Sequence, residues 1–102
     1  MKKEKKEKLR MLLKEKILEL QKLSYEELCK FIDKPFHETY GWDEKHNSPG
    51  EDFYQIEIEA FFDDPRKKDG NVRVMVMIDD GNWSAFKPMC DDFIITPEGK
   101  FL

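Results

Sequence analysis

The fold of this chain is decided by residues 72–81, which read VRVMVMIDDG. Every second residue is β-branched, a pattern typical of a strand with one buried face. These β-branched residues are Val72, Val74, Val76 and Ile78. We therefore predict a strand over Val72–Ile78 whose valine side meets the core. Its other side carries Met75 and Met77, and is too apolar for plain solvent exposure.

The end of this stretch predicts a tight turn. Asp80-Gly81 is a preferred two-residue hairpin turn, because both central positions need positive φ. In that register Ile78 faces Trp83 and Met75 faces Phe86, and residues directly opposite share a face. Phe86 would then join the methionines on the side away from the core.

Other strands are predicted from alternation and from turn residues. Phe53–Phe62 alternates apolar residues with Gln and Glu, which indicates a long strand. Phe36–Trp42 and Phe93–Thr96 are shorter strand candidates. The polar stretches Asp43–Asp52 and Asp63–Asn71 carry Pro and Gly, and are predicted to be loops.

The first third of the chain predicts two helices. Six apolar residues recur at steps of three and four, the spacing of an amphipathic helix. They are Leu9, Leu12, Leu13, Ile17, Leu20 and Leu23. Met11 and Leu18 lie on the opposite side of this helix as exposed apolar residues, or as a short seam with another helix. The charged residues 1–8 should fray.

The second helix has complete local start and stop signals. Ser24 and Glu27 are spaced as a capping box, which satisfies two free backbone N–H groups reciprocally. Pro35 forces the preceding residue out of helical geometry, so the helix should end near Asp33. Cys29 falls on the inward side of this helix and is expected to be a small buried hydrophobe.

These elements predict one α+β domain over residues 1–102, in which two N-terminal helices pack on one face of an antiparallel meander of four or five strands. The composition includes 8 Phe, 3 Tyr and 2 Trp, which supply core material for a small domain. The charged fraction of 39% indicates a heavily solvated exterior.

Charge and cysteine content bound the classes of function. The net charge of −4 argues against nucleic acid, whose backbone demands a cationic patch. The Lys-rich segment Lys2–Arg10 is the weakest alternative, as a contact for RNA or anionic lipid. No apolar stretch suits a signal peptide or a membrane span, and 2 Cys without a CxxC pattern suit a reducing compartment. We therefore expect a cytoplasmic protein without membrane association.

The sequence predicts no catalytic or metal-binding residue and no cofactor. Three acidic doublets could hold a divalent cation if they converged, but Asp also suits turns and strand ends. The doublets are Asp63-Asp64, Asp79-Asp80 and Asp91-Asp92. His37, His46 and the cysteines lack the spacing of zinc ligands. Glu57 and Glu59 share a strand face, where Arg73 is expected to pair with one of them.

A further pattern comprises the segments 78–83 (IDDGNW), 85–86 (AF) and 91–94 (DDFI), with Pro88 and the closing Pro97-Glu98-Gly99. With these residues the chain resembles an uncharacterised family of small bacterial domains. The likeness extends more loosely to residues 23–28 (LSYEEL) and 54–57 (YQIE), and so covers most of the chain. They are turn and core residues, so the resemblance implies a fold and transfers no activity.

Two classes of function remain open. The first is a non-enzymatic protein-interaction domain, immunity- or antitoxin-like or homodimeric. Its surface would be formed by Met75, Met77, Phe86, Glu57 and Glu59. The second is a ligand-binding or enzymatic module with an aromatic pocket between helices and sheet. That pocket would be lined by Tyr40, Trp42, Tyr54 or Trp83.

Overall fold

The computed structural model describes residues 3–81 and 89–102 and has an α+β architecture. The elements are α1 (Lys3–Leu20), α2 (Tyr25–Asp33), β1 (Phe36–Asp43), β2 (Ser48–Phe62), β3 (Val72–Asp79) and β4 (Met89–Ile95). The strands form one antiparallel sheet in the order β1-β2-β3-β4. The prediction of two N-terminal helices against an antiparallel meander is confirmed.

The core lies between the helices and one face of the sheet. The four β-branched residues of β3 are fully buried, which confirms the predicted orientation of this strand. Their partners in β2 include Ile56, Ile58 and Ala60, which are also buried. We call this side of the sheet the core face and the other side the outer face.

The helices reach the core through the apolar stripe that the sequence predicts. On α1 the buried members are Leu9, Leu13, Ile17 and Leu20, and Leu12 and Leu23 pack against them. Met11 and Leu18 are exposed on the far side of the helix. At the start of α2, Ser24 and Glu27 form both bonds of the predicted capping box.

The connection between β1 and β2 differs from the predicted loop. Asp43 pairs with Ser48, so β2 begins five residues before Phe53 and a tight turn replaces the loop over Asp43–Asp52. A shift in the pairing register at Gly41, where φ is 78°, absorbs the additional residues of β2. The polar composition of this segment therefore reflects an exposed hairpin.

The predicted register after β3 is wrong. Ile78 pairs with Met89 instead of Trp83, and Met75 pairs with Asp92 instead of Phe86. The partner strand β4 is thus Met89–Ile95, which also begins earlier than the predicted Phe93. Gly81 has the positive φ that the turn motif requires. However, the Asp79 carboxylate accepts the Gly81 N–H, so these residues begin a longer connection.

Candidate interaction surface on the outer face of the sheet

The outer face brings together four of the five residues that are predicted from the sequence to form an interaction surface. Glu57 lies directly opposite Met77, and Glu59 lies directly opposite Met75, as neighbouring cross-strand pairs. Both methionines are half-buried by their neighbours, and Glu59 is exposed. The fifth residue, Phe86, lies outside the described residues. We call the four residues together the Glu–Met strip.

The strip continues onto the flanking strands. His37 of β1 is the cross-strand partner of Glu57, with 3.9 Å between its Nε2 and the Glu57 carboxylate. On the other side Cys90 lies beside Met77, and Asp92 lies beside Met75. Two rows of side chains therefore cross the sheet. Met75 and Met77 lie at their centre, and acidic side chains of the neighbouring strands lie beside them.

Arg73 does not pair with Glu57 or Glu59, so that expectation is wrong. The strand register sets Arg73 opposite Phe61, one row beyond the Glu–Met strip. Its guanidinium donates to Asp92 and, at 3.1 and 3.2 Å, to Asp63. These two carboxylates raise the pKa of Arg73, and Asp92 has the larger effect. The two glutamates of the strip are therefore left without a lysine or arginine partner in the described part of the chain.

The acidic doublets do not form a common site. Asp63 follows β2, whereas Asp79 ends β3 at the opposite end of the sheet, since the strands are antiparallel. Asp79 accepts from the Gln55 amide at 2.7 Å, and Asp64 accepts from Arg66. Among the described residues, no group of three His, Cys, Asp or Glu side chains could hold a metal ion. Four of the doublet carboxylates, those of Asp63, Asp64, Asp79 and Asp92, each accept a hydrogen bond from another side chain.

The two thiols both have raised pKa values. Cys29 is half-buried against the core and Cys90 is exposed. Burial raises the pKa of the Cys29 thiol. The pKa of the Cys90 thiol is also raised, mainly because neighbouring atoms partly desolvate the sulfur although the residue as a whole is exposed, and the charges of Asp92 and Asp91 add to this effect. A raised pKa lowers the fraction of a thiol that is present as the reactive thiolate at a given pH.

The aromatic residues proposed to line a pocket are divided between different contacts. Tyr40 and Tyr54 stack on each other, with ring centroids 4.9 Å apart. Trp42 packs edge-on against Phe53, at 6.0 Å. Trp83 lies outside the described residues. Tyr40 and Tyr54 also pack against the core, so this pair serves as core material.

Sequence reasoning missed a groove between α2 and the start of β1. It has a volume of about 340 Å³. Its lining consists of Leu23, Glu27, Lys30, Phe31, Lys34, Pro35 and Phe36. The helical spacing of positions 23, 27, 30, 31 and 34 was a signal in the sequence, but the contribution of β1 depends on tertiary packing.

Comparison of the chain with known proteins identified no related protein. No family model, no curated protein and no solved structure matches the chain significantly. The resemblance to a small bacterial family stays a prediction. Within the described ranges, no helix is both long enough and apolar enough to cross a membrane.

Proposed function

We propose that this chain is a non-enzymatic protein-interaction domain whose outer face binds a partner with a basic and partly apolar surface. The observation that carries the proposal is the Glu–Met strip. Both helices pack on the core face, and in the described ranges no helix covers the methionines on the other side. Methionine side chains adapt to varied partner shapes, so they suit such a contact.

Charge supports a basic partner. The outer face carries Glu57, Glu59, Asp79 and Asp92. Asp63 follows β2 at one end of this face, and Arg73 is held between Asp63 and Asp92. An acidic surface accelerates the approach of a basic protein and repels nucleic acid. A symmetric dimer through this face would bring the glutamates of two copies together, which is unfavourable. One specific form of the proposal is an immunity- or antitoxin-like protein that blocks a basic toxin.

The test is affinity capture from the source cell, followed by binding measurements on the protein captured. In the outer-face variant Glu57→Lys/Glu59→Lys we expect the partner to be lost. The matched control, Glu4→Lys/Glu26→Lys, makes the same change in charge on exposed helix positions and should retain binding. Added salt should slow association, because long-range attraction between charges is screened.

Three results would contradict the proposal. One is that no protein is captured, and another is that both charge variants bind equally well. The third is a stable dimer in light scattering that the outer-face substitution dissociates, since this would assign the face to self-association.

A further inference from the structure

From the groove between α2 and β1 we infer a second binding site, for a small carboxylate with an apolar tail, such as a medium-chain fatty acid. The groove lies against α2, which packs on the core face, so it is separate from the Glu–Met strip. Its volume of about 340 Å³ falls within the range of small-molecule sites, which begins at about 300 Å³.

The apolar part of the groove is formed by two aromatic rings and their neighbours. Phe31 of α2 and Phe36 of β1 pack against the core and remain half-exposed at the groove. Leu23 and Pro35 also line the groove, and Pro35 lies in the connection between α2 and β1. A straight alkyl chain that covers these side chains would remove apolar surface from water on both molecules.

The charged residues of the groove are separated by sign along α2, with the carboxylate near the start of the helix and the lysines at its end. Lys30 and Lys34 lie one turn apart at the C-terminal end of the helix, and Glu27 lies one turn before Lys30. The Glu27 carboxylate is engaged in the helix cap, where it accepts the Ser24 N–H at 3.2 Å. Neither lysine forms an ion pair within the described part of the chain. An anionic head group would therefore find two ammonium groups at one end.

A second groove among the described residues does not offer this chemistry. It has a volume of about 450 Å³ and lies between the α1–α2 connection and the C-terminal turn. Its charged lining residues are Glu26 and Glu98, and no lysine or arginine contributes. The α2–β1 groove thus differs in that it combines an apolar lining with lysine side chains that form no ion pair within the described part of the chain.

The experiment is a titration of the full chain with octanoate, followed by calorimetry and by amide chemical shifts. We expect saturable binding with the largest shifts around Phe31 and Phe36. Lys30→Gln/Lys34→Gln should weaken binding at least about tenfold, the factor that corresponds to about 1.4 kcal/mol. Lys6→Gln/Lys14→Gln, which removes the same number of charges at exposed positions of α1, is the matched control and should bind as the original chain does. Octanol has the same alkyl tail without the charge. Its affinity for the original chain should be no higher than the affinity of octanoate for the double variant.

The proposal is overturned if octanoate does not saturate, or if the double variant binds it equally well. Shifts centred on Met77 instead of Phe31 would also overturn it, as would equal binding of octanol. Binding of acidic peptides or anionic vesicles in the absence of octanoate binding would assign the groove to a macromolecule and reject a small ligand. Both lysines are exposed, so the substituted chain should fold, and circular dichroism checks this.

Discussion

The hydroxyl of Tyr25 donates a hydrogen bond of 2.6 Å to the backbone carbonyl of Gly70, 45 residues further along the chain. Tyr25 is the first residue of α2, and Gly70 belongs to the connection between β2 and β3. The contact therefore ties the start of the helix to a loop of the sheet. It also satisfies a carbonyl group in a partly buried position.

Substitution Tyr25→Phe should lower the free energy of unfolding by about 1 kcal/mol, because it removes this hydrogen bond and keeps the ring. Chemical denaturation checks the value. Tyr54→Phe is a suitable control, since Tyr54 also packs its ring against the core. A loss for Tyr25→Phe no larger than that of the control would contradict a structural role for the hydroxyl.

The same tyrosine predicts a pH dependence. Burial is the main cause that raises the pKa of Tyr25 from 10.0 to about 12. Above pH 10 the unfolded chain loses this proton first, so the stabilisation is present below pH 10 and is lost as the pH rises towards 12. The stability gap between the original chain and Tyr25→Phe should therefore narrow over this interval. Tyr40 has a similarly raised pKa, mainly through its hydrogen bond to Glu38. Because Tyr40 is present in both chains, its contribution cancels in the difference between their stabilities.

The two faces of β3 provide a direct test of the sheet's orientation. Ile78 is fully buried on the core face, so Ile78→Ala should cost about 2–5 kcal/mol of stability. Its neighbour Met77 lies on the outer face, where truncation to Ala should cost about 1 kcal/mol or less. Thermal and chemical unfolding of both variants measure the difference. Equal losses would contradict the assignment of the outer face.

The sequence predicted elements well wherever one local pattern was sufficient. The alternation in β3 and the capping box of α2 each depend on residues close together in the chain, and both are confirmed. The position of β4 was harder to predict from the sequence. Asp91 pairs with the buried Val76 and yet is itself exposed. That charge interrupts the apolar alternation by which a strand is recognised.

The turn after β3 was predicted wrongly for a related reason. Asp80-Gly81 has the composition of a tight hairpin, but the Asp79 side chain bonds both Gln55 and the Gly81 N–H. Such a side-chain contact competes with the backbone pairing that closes a two-residue turn. Within the candidate site, Glu57, Glu59, Met75 and Met77 were predicted from strand periodicity alone. The pairing of Arg73 was not, because it depends on the register of β4.

The ion-pair cluster around Arg73 should contribute more than an isolated surface pair. Its guanidinium contacts one carboxylate on β4 and one just after β2. Within the described part of the chain, Arg66 pairs only with its near neighbour Asp64, and its side chain is 89% exposed. We expect Arg73→Gln to lower the melting temperature more than Arg66→Gln does. The difference should shrink in high salt, because exposed charges are screened. Equal melting temperatures at low salt would show that the cluster adds nothing.

Gly41 and Gly99 form a matched pair for testing the irregular pairing between β1 and β2. Both have a positive φ, 78° and 85°, so alanine is strained at either position by about 1–2 kcal/mol. A Cβ at Gly41 would also lie 2.7 Å from the backbone oxygen of Asp52, whereas a Cβ at Gly99 meets nothing within 4 Å. Because the β2 backbone must move to admit that methyl group, Gly41→Ala should cost about 3 kcal/mol or more. Chemical denaturation of the two variants separates the steric effect from the shared backbone strain. If the losses are equal, β2 does not approach Gly41 this closely, and the register shift that lengthens β2 is misplaced.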